Sequence, residues 1–128
     1  MKPELTLLVW SVVLAFAQAL IAVQGAMMQV GLPALAGNRE GMPEITGWAG
    51  RAVRAHRNLL ENLVLFAVLV LAAVAAGRTN AMTLLGAQIF FWARLVYAGV
   101  YIAGVPWLRT GVWAVAVVGL ILIFLQLV

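Results

Sequence analysis

The sequence predicts an all-α integral membrane protein, a four-helix up-down bundle with almost no soluble domain outside the bilayer. Three observations predict it. The chain is 66% hydrophobic and only 9% charged over 128 residues, whereas soluble domains use roughly a quarter charged residues. Four long apolar runs follow one another, separated by clusters of Gly, Pro and charge. Eight Lys/Arg and four Asp/Glu are too few to clothe a water-facing surface.

A helix needs about 20 mostly apolar residues to cross roughly 30 Å of hydrocarbon. The first run, Leu5 to Val23, holds no charge. It exceeds the apolar core of roughly 7–15 residues found in a signal peptide, so a span is preferred over a cleaved leader despite Lys2 and the Ala15-Phe16-Ala17 triplet. The second, Leu59 to Ala76, carries Glu61 alone; the third, Met82 to Ala103, carries Arg94 alone; the fourth, Val112 to Val128, is uncharged. With their flanks the spans lie near residues 5–24, 47–76, 82–103 and 111–128 of one domain that fills 1–128. Lipid satisfies no open backbone edge, so each is a helix.

The connections differ in kind. From Gly25 to Gly50 the sequence is rich in Gly, Pro and charge, including Pro33, Pro43 and the cluster Gly37 to Gly41, and forms the long loop. Gly77 to Asn80 is a tight turn, and Gly104-Val105-Pro106 ends the third helix. Short turns make antiparallel neighbours. Nothing breaks the helix between Gly50 and Ala76, so the second helix is expected to begin before the bilayer and project from it.

Four spans place both termini on one side, which carries Lys2 and Arg78. The other side has Arg39, Arg51, Arg54, Arg57 and Arg109. The excess of positive charge puts the long loop in the cytoplasm and the termini in the periplasm or a lumen; a bacterial inner membrane is the expected location. The net charge of +4 does not signal a nucleic-acid partner, because the basic residues flank or interrupt apolar runs instead of forming an exposed phosphate-binding cluster. The chain has no cysteine, which rules out disulfides and thiolate-held metals, and thiol chemistry would need a thiol brought by a ligand.

Polar groups inside a membrane are functional candidates by default. On the second helix, at 100° per residue, Arg51, Arg54, Asn58, Glu61 and Asn62 share a stripe about 100° wide that enters the membrane from the loop side. His56 lies off that stripe and reads as a headgroup-facing residue. Arg57 stands one turn before Glu61, and its plainer reading is a helix-stabilising ion pair. On the third helix Arg94, Tyr97, Tyr101 and Phe90 fall on one arc. A plain account pairs Arg94 with Glu61 and leaves both tyrosines as interfacial residues. Against it, Arg51, Arg54, Arg94 and Arg109 surround a single acid, Glu61, and surplus guanidinium suits an anionic ligand with carboxylates. Arg109, after Pro106-Trp107, has the alternative role of an ordinary membrane anchor. Gln18, Gln24, Gln29 and Gln88 are read as packing residues.

These segments, Arg54-Ala55-His56-Arg57-Asn58-Leu59-Leu60-Glu61-Asn62 and Ala93-Arg94-Leu95-Val96-Tyr97-Ala98-Gly99-Val100-Tyr101, together with the long first loop, resemble a bacterial-type member of the MAPEG family, the membrane-associated proteins of eicosanoid and glutathione metabolism. The resemblance covers nearly the whole chain. It implies a homotrimer in membrane lipid, with a site for glutathione, or another low-molecular-weight thiol, between subunits. It implies that Arg51, Arg54, Asn58, Glu61, Asn62, Arg94, Tyr97 and Tyr101 hold the thiol, with Glu61 facing its ammonium. Arg109 matches the arginine that steadies the thiolate in catalytic relatives, and a nearby cation lowers a thiol's pKa. The implied reaction is transferase or peroxidase chemistry on a lipophilic electrophile delivered from the bilayer, with no metal. Asn62 stands where several eukaryotic members have tyrosine, and Gln24 or Gln29 where several have arginine. The family also contains a non-catalytic lipid-binding member, so a lipid or small-anion binding protein of the same fold is the alternative. A small four-span exporter is a third reading, disfavoured because the arginines repel cationic cargo.

Overall fold

The computed structural model describes residues 1–128. It has α1 (Pro3–Val30), a short α2 (Leu32–Ala36), α3 (Gly47–Ala75), α4 (Ala81–Ala103) and α5 (Pro106–Leu127). The four long helices are each long and apolar enough to cross a membrane, as the apolar runs predict. The molecule is an all-α integral membrane bundle.

Each boundary has a local cause. Pro3 opens α1 and Pro106 opens α5, where the missing N–H is harmless. Asn80 caps α4 by accepting from the N–H groups of Met82 and Thr83, and the Thr83 hydroxyl returns the contact to the Asn80 N–H at 2.8 Å, a complete capping box. Gly104 ends α4 in the left-handed conformation, φ 85°. The first helix departs from the expected boundary near residue 24 by running on to Val30. Gln24, Gly25 and Gln29 are polar or small but do not break a helix, and the chain turns only at Gly31, φ 81°, just before Pro33. The long connection is correspondingly shorter, and it contains the additional helix α2.

Close approaches show how the helices run. Glu4 meets Thr83, so the starts of α1 and α4 lie together at the end that also holds the C-terminus. A Cβ on Gly25 would sit 2.6 Å from the Ala49 Cβ, which brings the far end of α1 against the start of α3. Between α4 and α5, a Cβ on Gly86 would lie 2.5 Å from the Gly119 carbonyl oxygen, and one on Gly119 would lie 2.6 Å from that of Gly86. These two backbones touch, as small residues allow between membrane helices. The core joins α3, α4 and α5 through Phe66, Val70, Ala87, Phe90, Leu120 and Ile123. Phe66 and Phe90 stack with ring centroids 4.2 Å apart. Outward, large apolar side chains such as Phe16, Val64, Leu71 and Ile121 are exposed, as helix faces bathed in lipid should be.

Candidate functional site

The polar residues of α3 and α4 meet in the half of the bundle nearer the long connection, and α5 supplies the third wall. Arg94 is the largest fully buried side chain, 1% exposed. Its guanidinium carbon lies 4.0 Å from the centroid of the Tyr97 ring, a cation–π contact. None of its three nitrogens has a hydrogen-bond partner. The anticipated plain pairing with Glu61 is therefore not formed, and Glu61 instead stands on the exposed side of α3.

One turn further along α4, Tyr101 packs against Tyr97 with ring centroids 5.5 Å apart. Arg109 of α5 lies over Tyr101 at 4.5 Å. Pro106 sets the direction of α5 just before Arg109, and the left-handed Gly104 provides the sharp turn that folds α5 back. The four side chains thus form a row in which the two tyrosines pack together and an arginine covers each end. Beside it is a cavity of about 180 Å³ lined by Asn58, Tyr97, Arg109, Thr110 and Trp113. The tyrosine pair separates the two guanidinium groups, and each cation rests on an aromatic face without an intervening acid.

The stripe on α3 divides. Arg51 is partly buried and donates from Nε to the Ile102 carbonyl at 2.8 Å, placing its charge at the C-terminal end of α4, where carbonyls carry partial negative charge. Asn62 donates to the Asn58 carbonyl at 2.9 Å and to its side-chain oxygen at 3.3 Å, which orients the Asn58 amide beside the cavity. Arg54, Arg57 and Glu61 are exposed; Arg54 and Glu61 lie on the face of α3 turned away from the bundle, and Arg57 reaches toward the long connection. In a single chain the cavity gathers Asn58, Tyr97 and Arg109, with Arg94 and Tyr101 stacked behind; Arg51, Arg54 and Glu61 do not line it.

Of the buried polar residues Glu4, Ser11, Gln18, Thr83 and Arg94, only Arg94 was picked out as a site candidate. Glu4, 4% exposed, accepts a 2.6 Å hydrogen bond from the Thr83 hydroxyl at the opposite end of the bundle. No local signal marks it, because its partner is far away in sequence. Gln18, 3% exposed, has both amide atoms without a partner. A polar residue in the middle of an otherwise uncharged span was the available signal, and assigning it to packing understated it.

Fold and site together define a four-helix membrane protein with an arginine–tyrosine stack inside the bundle. The profile of the MAPEG family matches residues 5–128, and the chain belongs to that family. Comparison with curated proteins and with solved structures gives no significant match.

Proposed function

We propose that this protein is a membrane-bound, glutathione-dependent transferase or peroxidase acting on lipophilic electrophiles. The observation that carries the proposal is Arg94: a fully buried guanidinium with no hydrogen-bond partner, stacked on a tyrosine that lines a cavity. Leaving a cation buried and unpaired is expensive, and an anionic ligand removes that expense. Glutathione brings two carboxylates, one ammonium and a thiol, which matches several cations and a single acid.

In this reading Arg51, Arg54, Asn58, Asn62, Arg94, Tyr97 and Tyr101 bind the tripeptide, and Glu61 receives its ammonium. Arg54 and Glu61 lie on the exposed face of α3, within a helix that enters the membrane. Charges do not face hydrocarbon, so a second copy covers that face, and a homotrimer closes the site between subunits. Arg109 holds the thiolate. The thiolate sulfur attacks the electrophilic carbon of a substrate arriving from the bilayer; a C–S bond forms, the bond to the leaving group breaks, and that group departs with the electron pair. The long connection faces the cytoplasm and the termini the opposite side, following the arginine distribution.

The family also accommodates a second reading, a non-catalytic binding protein for a lipid or a small anion. Its support is that Glu61 lies away from the Arg109 cavity in the single chain.

The test uses full-length protein in lipid nanodiscs. Glutathione at about a hundredfold excess over its Kd should stabilise the fold by roughly 2.7 kcal/mol, and an Arg94→Met variant should lose that stabilisation. Arg109→Ala should retain binding while losing at least about tenfold in conjugation of a reactive aryl halide and in ultraviolet thiolate absorbance. No stabilisation by millimolar glutathione sinks the proposal. Binding without thiolate signal or conjugate selects the second reading, and stabilisation by a different thiol redirects the assignment of the ligand.

A further inference from the structure

A second, larger cavity lies on another side of α3. It measures about 580 Å³, within the range of roughly 300–1,000 Å³ typical of small-molecule sites. Its walls are α1 from Ala19 to Met27, the connection from Leu32 to Ile45, and Val53, His56 and Arg57 of α3. Val53 and His56 point about 150° around α3 from Asn58, so this space is separate from the arginine–tyrosine stack.

The cavity is built by specific contacts. The side chain of Gln29 clasps the far end of the connection: its amide donates to the Thr46 carbonyl at 2.7 Å and its oxygen accepts from the Thr46 N–H at 3.0 Å. A Cβ on Gly50 would lie 2.5 Å from the Ile45 carbonyl oxygen, so glycine there lets the connection lie directly on α3. The strap therefore has fixed ends, and α2 roofs the space between them.

Its polar groups have one sign. Arg39, His56 and Arg57 are the polar lining residues; every other lining residue is apolar, and no acid is among them. Arg39 adopts a left-handed backbone, φ 66°, which non-glycine residues take at a cost, and its Nε donates to the Leu35 carbonyl at 3.0 Å. That bond leaves the other guanidinium N–H groups available. The Nδ1 of His56 is buried without a partner.

We infer that this cavity is a binding site for an organic monoanion: an apolar body bearing one carboxylate, sulfonate or phosphate, held by Arg39 and Arg57 with a hydrogen bond to His56. Such a ligand comes either from the membrane, as a single-chain acid, or from water, as a compact aromatic or alkyl acid. The inference does not depend on the thiol-binding reading and is tested without any thiol.

The probe is octanoate, titrated into the full chain in phosphatidylcholine nanodiscs by calorimetry, with 1-octanol as the uncharged match. Octanoate should bind saturably and octanol at least about tenfold more weakly, the effect of losing charge-assisted hydrogen bonds. Arg39→Gln and Arg57→Gln, both at exposed side chains and so compatible with folding, should each weaken octanoate about tenfold. Ala22→Phe, which fills the cavity, should abolish binding. Competition by oleate in the disc assigns the membrane source, and competition by 1-naphthoate alone assigns the aqueous one. Equal affinity for octanoate and octanol, or undiminished octanoate binding in both arginine variants, overturns the inference.

Discussion

Both ends of the bundle bury polar groups, but they treat them in opposite ways. At the end that holds the termini, Glu4 is paired with Thr83, Thr83 with Asn80, the Asn80 amide donates to Gln126 at 2.8 Å, and Arg78 donates to the Leu127 carbonyl at 3.1 Å. Toward the long connection, Arg94 and Gln18 are as deeply buried and have no partners. Paired polar groups staple three helices together at one end. Unpaired ones toward the other end contribute no adhesion, since an unmade hydrogen bond in a low-dielectric interior is a penalty. On the proposed function, ligand binding falls to the half that lacks such pairs.

This contrast can be broken or sharpened by substitution. The largest effect is expected from Gly119→Leu, which forces the α4 and α5 backbones apart at the contact with Gly86; a loss of about 3 kcal/mol or more should appear in thermal unfolding in nanodiscs. Thr83→Val strands the buried Glu4 carboxylate and should cost about 2 kcal/mol by the same assay. At the other end the sign should reverse. Arg94→Met, replacing an unpaired buried cation by an apolar chain of similar length, should leave the ligand-free protein unchanged or about 1 kcal/mol more stable. A marked destabilisation by Arg94→Met would erase the distinction between the halves. The smallest effect is expected from Gln29→Ala: a global change of at most about 1 kcal/mol, with faster amide exchange at Thr46.

The sequence made the architecture legible because lipid restricts the choices so severely. Four apolar runs and the breakers at Gly77, Gly104 and Pro106 suffice to place the last three long helices and the start of the first. The helix α1 outruns its expected end because Gly25, where the Gly- and Pro-rich stretch begins, packs inside the helix against Ala49, and the Gln29 amide beyond it is used by the folded connection. Helical periodicity placed Arg94, Tyr97 and Tyr101 on one arc, and they do stack together with Arg109. Periodicity did not reveal which edge of the α3 stripe is covered. Arg51 is tied to α4, while Arg54 and Glu61 on the same stripe are exposed, a difference decided by neighbouring helices. The pairing of Glu4 with Thr83 and the cavity beneath the long connection were invisible for the same reason, because each joins segments distant in sequence.

The hydrogen bond between Glu4 and Thr83 also bears on how the chain is made. Synthesis delivers α1 to the membrane first, yet the residue that receives its opening turn belongs to α4. The opening turn of α1 must therefore wait at the membrane surface, with its carboxylate still in need of this partner, until the third span has entered. Bringing together residues 79 positions apart costs loop-closure entropy before the contact repays it. Docking of the opening turn of α1 onto α4 is thus a post-insertion event, and Thr83 is the residue that receives it.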